Sequence, residues 1–253
     1  MNGPFPTLSL SVVIPCRDEE AALPGLARAL QPWGQIPRLE LLFVDDGSRD
    51  GTREAARKHF PAARVLVHPR PLGLGAALRT GSRAASGELV AWFDADASYD
   101  PALLPRMTEL LLEREADAVL ASPWHPEGGS QGVPWSRTFP SRTISKIYSL
   151  LGPGRLYTYT GLFRVHRRDL LLRALPVRPG FPGVTESLLR FLLLGGKVLE
   201  VPAVLHSRKA GSSKMRILQA AGGHLELLGA LLLGKLAPAG RNQEKSETPC
   251  ADH

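Results

Sequence analysis

The feature that most restricts the fold of this chain is an alternation of short apolar runs with amphipathic segments. Runs typical of β-strands occupy residues 8–14, 39–44, 64–68 and 89–93. Helical patterns follow them at about residues 20–30, 52–59, 75–85 and 101–113, the last with Pro101 at its first position. Strands that alternate with helices of this length form a parallel sheet with helices on both faces. We therefore predict an α/β fold with a mostly parallel sheet.

The alternation weakens after residue 130. Helical patterns remain at about residues 142–151 and 185–194, and a strand pattern covers residues 198–205. We interpret this half as an elaboration of the same single domain, which would end near residue 237. Residues 238–253 are small, polar and charged, and we expect them to form a disordered tail.

The charge balance favours an anionic partner. The formal net charge is +7 and the isoelectric point is near 9.8, which suits a nucleic acid, a phosphorylated metabolite or an acidic membrane surface. Two cysteines, Cys16 and Cys250, make a disulfide framework improbable and fit a cytosolic environment. We expect neither a secretory signal nor a transmembrane helix, because Glu226 and Lys235 interrupt the most apolar late segment.

Acidic residues follow the predicted strands at the edge where such sheets bind ligands. Asp46 follows the second run, and Asp94 and Asp96 follow the fourth. Two carboxylates this close repel each other unless a cation lies between them. Oxygen ligands without nearby histidine or cysteine favour Mg²⁺ or Mn²⁺, which often share substrate phosphates. This pattern predicts cleavage at a diphosphate.

Simpler interpretations of these acids remain open at this point. Asp94 and Asp96 could cap the following helix, since aspartate is common in loops. The segment 45–52 contains the Asp-Gly and Asp-Gly-Thr sequences of turns and helix N-caps.

An ordered series of motifs adds to these observations. It comprises VIP at 13–15 with Asp18-Glu19, VDDGSxDGT at 44–52, GLGAA at 73–77 and DAD at 94–96. It continues with WxR at 135–137, SR at 141–142, TGxFR at 160–164, Glu186, VP at 201–202 and RxxGxSK at 208–214. Over about residues 8–216 the chain resembles family 2 glycosyltransferases of the Rossmann-like GT-A fold. Within that family it is most similar to dolichyl- or polyprenyl-phosphate sugar synthases.

The resemblance implies transfer of a hexose, with inversion, from a GDP- or UDP-sugar to a polyprenyl phosphate. Residues 8–122 would form the nucleotide-sugar half and residues 123–237 the acceptor half. It implies a nucleoside pocket formed by Pro15, Arg17, Glu19, Val44 and Asp46. It implies that Mg²⁺ or Mn²⁺ is held by Asp94 and Asp96, with the backbone of Ala95 beside the diphosphate.

The resemblance also implies a set of cations. Arg208 and Lys214 would contact the diphosphate from the far side and, with Asp94 and Asp96, form the catalytic group. Candidates for the acceptor phosphate are the arginines Arg137, Arg142 and Arg164. Each of these cations could instead belong to a solvated basic face.

The sequence departs from the family pattern in three places. Arg17 and Asp18 replace the usual tyrosine or asparagine, which leaves the nucleoside preference open. Ser122-Pro123-Trp124 stands where relatives carry an arginine, and His125 is a poor substitute for it. Ser98 replaces a frequent glutamine and leaves the third metal contact open.

Two other enzyme classes fit the sequence less well. A haloacid-dehalogenase-type phosphatase places its acids after the first strand, and a Rossmann dehydrogenase needs a glycine where Leu78 stands. A noncatalytic nucleotide-sugar-binding protein remains open, as does transfer to a sugar hydroxyl. That transfer needs a base, and Asp117 and Glu127 are poorly placed to be one, whereas a phosphate acceptor is already mostly a dianion.

Membrane contact is a further expectation, and nucleic acid is not an expected partner. The leucine-rich helix at about residues 217–236 follows Lys209, Lys214 and Arg216, a combination that suits the interface of an anionic membrane. Such a helix could equally pack on the core. We expect a cytoplasmic protein, with peripheral attachment to the cytoplasmic membrane face as one possibility.

Overall fold

The computed structural model describes residues 8–207 and 217–236 of the chain. Its strands are β1 (Leu10–Cys16), β2 (Leu39–Asp45), β3 (Arg64–Val67), β4 (Leu89–Trp92), β5 (Ala118–Ser122), β6 (Gly129–Gln131), β7 (Arg164–Arg167), β8 (Val198–Pro202) and β9 (Val204–His206). Its helices are α1 (Leu23–Ala29), α2 (Thr52–His59), α3 (Leu74–Ala84), α4 (Leu103–Glu113), α5 (Trp135–Leu151), α6 (Arg168–Arg173), α7 (Pro182–Leu193) and α8 (Ile217–Leu232), with a 3₁₀ turn at Gln31–Gln35.

Seven strands form the central sheet, in the order β3-β2-β1-β4-β7-β5-β8. The neighbours β3, β2, β1 and β4 are parallel, and β5 is parallel to β8. Strand β7 runs antiparallel to both β4 and β5. Strands β6 and β9 form a separate parallel pair. The predicted α/β fold with a mostly parallel sheet is confirmed.

Both faces of the sheet are buried, which explains why the strands are almost continuously apolar. Along β1, Val12 and Ile14 enter one apolar cluster while Val13 enters the cluster on the opposite face, as the two-residue period of a strand requires. Helices α1 and α4 supply the first cluster, and α3 and α7 supply the second. The core therefore fixes the register that brings the strand ends together.

Several predicted boundaries were wrong. The helix expected at 20–30 begins at Leu23, and Pro101 lies in a turn before α4, whose first residue is Leu103. That turn is closed by Asp100, whose carboxylate accepts the N–H of Ala102 at 2.9 Å.

The strand expected at 198–205 is divided at Ala203. The N–H of Ala203 donates to Ser122 O in the main sheet, while its carbonyl accepts the N–H of Gly129 from the small sheet. The predicted tail lies outside the described residues. Within residues 8–207 and 217–236, no helix is both long and apolar enough to span a bilayer.

Candidate active site

The carboxyl ends of β1, β2 and β4 meet at one edge of the sheet. The register pairs Cys16 with Asp45 and Val13 with Trp92, so the residues that follow these strands lie side by side. A cleft of about 430 Å³ opens there, within the size range of small-molecule sites. Its lining includes these predicted donor-site residues: Pro15, Arg17, Glu19, Asp46, Asp94, Ala95 and Asp96. We call it the polar cleft.

Asp46 is held in the wall of the polar cleft by three donors. Its carboxylate contacts Nδ1 of His68 at 2.8 Å and accepts the N–H groups of Leu72 at 2.7 Å and Gly73 at 2.8 Å. Burial raises the pKa of Asp46, but these hydrogen bonds outweigh it, so the pKa is lowered from its ordinary value. The residue is therefore an ionised carboxylate that fixes the segment leading into α3.

The neighbouring acids of the 45–52 segment have structural roles. Asp45 pairs with Arg53 at 3.1 Å and accepts the N–H of Ser48 at 2.9 Å. Asp50 accepts the N–H of Thr52 at 3.1 Å and also contacts its hydroxyl. Asp45 and Asp50 therefore stabilise the turn and the start of α2, as the simpler interpretation predicts, whereas Asp46 lies in the wall of the polar cleft.

Asp94 and Asp96 lie in a tight turn beyond β4. Ala97 has a left-handed backbone with φ 49°, and Oδ1 of Asp96 accepts the N–H of Ser98 at 2.9 Å and its hydroxyl at 2.5 Å. Neither aspartate caps the next helix, because the turn before α4 is closed by Asp100. The helix-capping interpretation of the Asp-Ala-Asp sequence is therefore excluded.

The two aspartates suit a hard divalent cation. The described residues contain no group of three or more His, Cys, Asp or Glu side chains able to hold a metal by themselves. Two carboxylates beside a cleft of small-molecule size match the way Mg²⁺ and Mn²⁺ bind, with water and substrate phosphates completing the coordination. The residues present therefore fit such an ion.

A second cleft, of about 460 Å³, adjoins the first and is largely apolar. The residues common to both linings are Asp94, Asp96, Arg137, Phe181 and Ala220. The apolar part of its wall includes Tyr99, Trp124, Phe139, Ile144, Ile147, Leu162, Leu205 and Leu225. We call it the apolar cleft, and the carboxylates lie where the two clefts meet.

Charged groups are scarce in the apolar cleft. Among the described residues that line it, Arg137 is the only arginine or lysine, and Asp94 and Asp96 are the only acids. His224 also lines it, and burial lowers the pKa of this imidazole to about 4, so it is neutral near pH 7. The charged groups of this cleft are therefore confined to its junction with the polar cleft, and the rest of its lining is uncharged near pH 7.

The predicted acceptor arginines have separate positions. Arg137 lines both clefts, whereas Arg142 is exposed on α5 and lines neither. Arg164 is completely buried in β7 and donates to Val184 O at 2.9 Å and Tyr159 O at 2.7 Å. Its Nε is buried without a hydrogen-bond partner, and burial lowers the pKa of this guanidinium to about 9. The expectation that Arg142 and Arg164 contact the acceptor phosphate does not fit these positions.

Other predicted residues also differ from expectation. Val44 is fully buried against α3 and does not line the polar cleft, because its side chain points into the apolar cluster around Gly81. Trp124, at the site of the missing arginine, lines the apolar cleft and its Nε1 donates to Ser141 Oγ at 3.3 Å. Arg208 and Lys214 lie outside the described residues, and their roles stay predictions.

One wall of the polar cleft was not predicted. The segment 179–182 forms it, and the segment is held by the buried carboxylate of Glu186. Glu186 accepts the N–H groups of Val177 at 3.0 Å and Arg178 at 2.7 Å, and it pairs with Arg178 at 3.1 Å and Arg190 at 3.2 Å. In the sequence, the only indication of this wall was Glu186 in the motif series. The local sequence pattern does not show that Glu186 contacts the segment before it.

The same segment covers the glycine-rich start of α3. Pro179 O accepts the N–H groups of Gly75 at 2.6 Å and Ala76 at 3.3 Å, and a Cβ on Gly75 would meet Arg178 O at 2.2 Å. These helix N-terminal donors are already used, so they do not form the phosphate cradle of a dinucleotide-binding fold. The Rossmann dehydrogenase alternative is excluded.

The chain is similar to known glycosyltransferases. The family model described as glycosyl transferase family 2 matches residues 11–173. Two proteins, named uncharacterized glycosyltransferase Mb0553 of Mycobacterium bovis and Rv0539 of Mycobacterium tuberculosis, are each 33% identical over 210 residues. That alignment covers 82% of this chain and 89% of theirs.

Solved structures share the fold. Glucosyl-3-phosphoglycerate synthase from M. tuberculosis, in complex with Mn²⁺, UDP and glucosyl-3-phosphoglycerate, superimposes with a TM-score of 0.67 at 23% identity. Its complex with Mn²⁺, UDP-glucose and phosphoglyceric acid gives 0.65 at 23% identity. In both comparisons the match covers 92% of this chain and 82% of the other.

Proposed function

The chain belongs to glycosyltransferase family 2, and from that membership we propose that it transfers a hexose from a nucleotide diphosphate sugar to a polyprenyl phosphate. The observation that carries this proposal is the meeting of the polar and apolar clefts at Asp94, Asp96 and Arg137. One cleft has the character of a donor site, and the other has the character of a lipid site. The reacting groups would meet at their junction.

The donor is assigned to the polar cleft. The solved neighbours bind UDP or UDP-glucose with Mn²⁺, which supports a UDP- or GDP-hexose and a Mg²⁺ or Mn²⁺ requirement here. Asp94 and Asp96 would hold the ion. When bound, it would neutralise the negative charge that the diphosphate gains as the sugar departs.

The acceptor is assigned to the apolar cleft. The neighbours take phosphoglycerate, a small molecule with a carboxylate and a phosphate. Such a polyanion would be expected to have several cations around it, whereas Arg137 is the only arginine or lysine in the described lining. A single phosphate on an apolar chain matches this lining better.

The positions of the acidic side chains support a phosphate as the nucleophile and not a hydroxyl group. A hydroxyl acceptor needs a base, yet the described lining of the apolar cleft offers no carboxylate besides the two assigned to the metal. Asp117 accepts the N–H of Lys197 at 2.8 Å and lines neither cleft. A phosphate monoester is already mostly a dianion near pH 7, so it can attack without such a base.

The displacement would then depend on positioning. Arg137 would orient the acceptor phosphate through a guanidinium fork, and Asp94 and Asp96 would fix the donor diphosphate. One acceptor oxygen would form the new bond to the anomeric carbon, and the bond to the diphosphate would break on the opposite side. The product sugar would have the inverted anomeric configuration.

The test is a transfer assay with radiolabelled GDP- and UDP-hexoses. Polyprenyl phosphate and 3-phosphoglycerate are offered separately, with Mn²⁺, with Mg²⁺ and with a chelator. We expect metal-dependent label in a butanol-soluble lipid. Label in phosphoglycerate alone, or in neither acceptor, would overturn the proposal.

A pair of variants tests the metal residues in the same assay. Asp96→Asn should lose Mn²⁺ binding and reduce turnover by about a hundredfold or more. Asp100→Asn is the matched control, because Asp100 is exposed, lines neither cleft and can keep its bond to Ala102 through the amide oxygen. Equal turnover and equal Mn²⁺ binding in the two variants would contradict the assignment.

A further inference from the structure

The outer face of α5 carries a stripe of exposed residues that the proposed reaction does not explain. The α5 stripe consists of Trp135, Phe139, Arg142, Lys146 and Leu150, all exposed. Their spacing of four, three, four and four residues places them on one side of an α-helix. The two ends are apolar and the middle is cationic.

The apolar members of the α5 stripe are unusually accessible for their size. Trp135 is 71% exposed, Phe139 is 52% exposed and Leu150 is 74% exposed. The rings of Trp135 and Phe139 stack with centroids 4.5 Å apart, so together they form one exposed aromatic surface. Exposed apolar surface of this kind marks an interaction site.

The charge of α5 favours an anionic partner. The helix sequence WSRTFPSRTISKIYSLL contains three cations and no acid, within a chain of net charge +7. Cations beside exposed aromatic and leucine side chains are typical of helices that lie in the interface of an anionic bilayer.

The position of the α5 stripe beside the mouth of the apolar cleft also favours a lipid partner. Phe139 lines the cleft while half exposed, so it lies at the rim, and Leu225 of α8 does so with 71% exposure. A cleft of about 460 Å³ matches the size of a site for one small ligand and cannot enclose a long polyprenyl chain. The remainder of such a chain would have to stay in a bilayer at this rim.

We propose that the α5 stripe docks the protein on an anionic lipid bilayer. Trp135 and Phe139 enter the boundary between headgroups and acyl chains, and Arg142 and Lys146 contact lipid phosphates. The purpose of this docking rests on the proposed lipid acceptor, but the binding itself does not. The surface differs from the one the sequence indicated, which was the helix at 217–236 with its preceding cations.

Vesicle binding tests the surface without any acceptor or donor. The full chain is mixed with phosphatidylglycerol–phosphatidylcholine vesicles and with pure phosphatidylcholine vesicles, and the bound fraction is measured by flotation. We expect binding to the anionic vesicles that weakens with salt. Trp135→Ala should weaken it about tenfold or more, since an anchored aromatic side chain buries apolar surface.

The cations are tested by a charge-matched pair of double variants. Arg142→Gln with Lys146→Gln should weaken binding by about tenfold or more, at about 1 kcal/mol per cation near the surface. Lys58→Gln with Arg173→Gln removes the same charge from exposed sites elsewhere and should have a much smaller effect. Leu193→Ala, at a 46% exposed leucine of α7, is the control for Trp135→Ala.

Two results would overturn the inference. One is unchanged vesicle affinity in both α5 variants. The other is a wild-type chain that does not bind vesicles but forms a concentration-dependent dimer, with Trp135→Ala abolishing the dimer. That result would mean that a second copy of the chain covers the α5 stripe.

An activity arm separates this inference from the proposed function. With a short, water-soluble prenyl phosphate, Trp135→Ala should keep wild-type turnover, and with long polyprenyl phosphate in vesicles it should lose about tenfold. If the wild type uses no prenyl phosphate yet binds vesicles through α5, the proposed function fails and the surface stands. If the wild type uses both the short and the long prenyl phosphate, and Trp135→Ala lowers neither vesicle binding nor turnover, the docking surface is refuted and the proposed function stands.

Discussion

Asp46 Oδ1 lies 2.8 Å from His68 Nδ1, and this contact joins the end of β2 to the residue that follows β3. The same carboxylate accepts the N–H groups of Leu72 and Gly73. An acid of the cleft wall thus also shapes the backbone that leads to the glycine-rich start of α3. In the proposed function, donor binding and local folding would both depend on this side chain.

We expect Asp46→Asn to weaken both functions. The amide nitrogen would face a donor where a carboxylate oxygen now accepts, so at least one buried hydrogen bond is lost at a cost of about 1–3 kcal/mol. Urea unfolding and the dissociation constant of the donor nucleotide are the measurements. Glu54→Gln, at an exposed acid of α2, should leave both unchanged, and an Asp46→Asn chain that matches this control would refute the prediction.

Gly75→Ala should destabilise the protein by about 1–3 kcal/mol through overpacking. The new Cβ would lie 2.2 Å from Arg178 O and 3.1 Å from Gly180 O, so the cleft wall has to shift. The comparison is Gly25→Ala in α1, where nothing lies within 4 Å of the added Cβ and alanine should be neutral or stabilising. The measurement is the thermal unfolding midpoint of each variant. Similar midpoints for Gly75→Ala and Gly25→Ala would contradict the predicted close contact.

Glu186→Gln should raise the KM for the nucleotide sugar about tenfold with little change in kcat, because the change loosens a wall of the polar cleft, the proposed donor site, and leaves the proposed reacting groups in place. Glu186 holds Val177 and Arg178 by their N–H groups. Glu113→Gln, at an exposed acid paired with Arg106 at 3.6 Å, is the matched control. A loss of stability with no change in KM would show that Glu186 has a structural role only.

Stability should fall on acidification below about pH 6.5, the ordinary pKa of histidine. Burial lowers the pKa of His166 to about 3, so between these values the unfolded chain binds a proton that the native chain does not. The free energy of unfolding then decreases by up to about 1.4 kcal/mol per pH unit from this residue as pH falls. The loss is complete near pH 3.

Urea titrations at pH 7, 6 and 5 measure this slope. His166→Phe keeps a ring between Trp92 and Phe191 but removes the titration, so its slope should be shallower than that of the wild type. His224, with a pKa of about 4, supplies part of the slope that remains. Parallel slopes would contradict the prediction.

Local pattern was sufficient for the donor half of the fold. Helix α2 spans Thr52–His59 as predicted, and β1, β2 and β4 lie within two residues of their expected ends. Because consecutive parallel strands end at the same edge, the positions of Asp46, Asp94 and Asp96 followed from the chain order. The motif series then indicated the family that the comparisons show.

The acceptor half was less predictable, because its contacts join residues far apart in the chain. The antiparallel β7 lies between β4 and β5, and this insertion buries Arg164 completely. From the sequence, Arg164 and Arg137 were equivalent phosphate candidates. Packing gives these two arginines different roles, because Arg164 donates to backbone carbonyls inside the core and Arg137 lines both clefts.

The sequence by itself determined which segments are strands, where acids follow them and which family the chain resembles, because these properties depend on residue period and order. Only the tertiary structure decided that an apolar cleft adjoins Asp94 and Asp96, that Pro179 covers the start of α3, and that Val44 and Arg164 are enclosed. Those outcomes depend on which distant segments pack together. Burial, which sets whether a charged side chain reaches a ligand, is a property of that packing and not of local sequence.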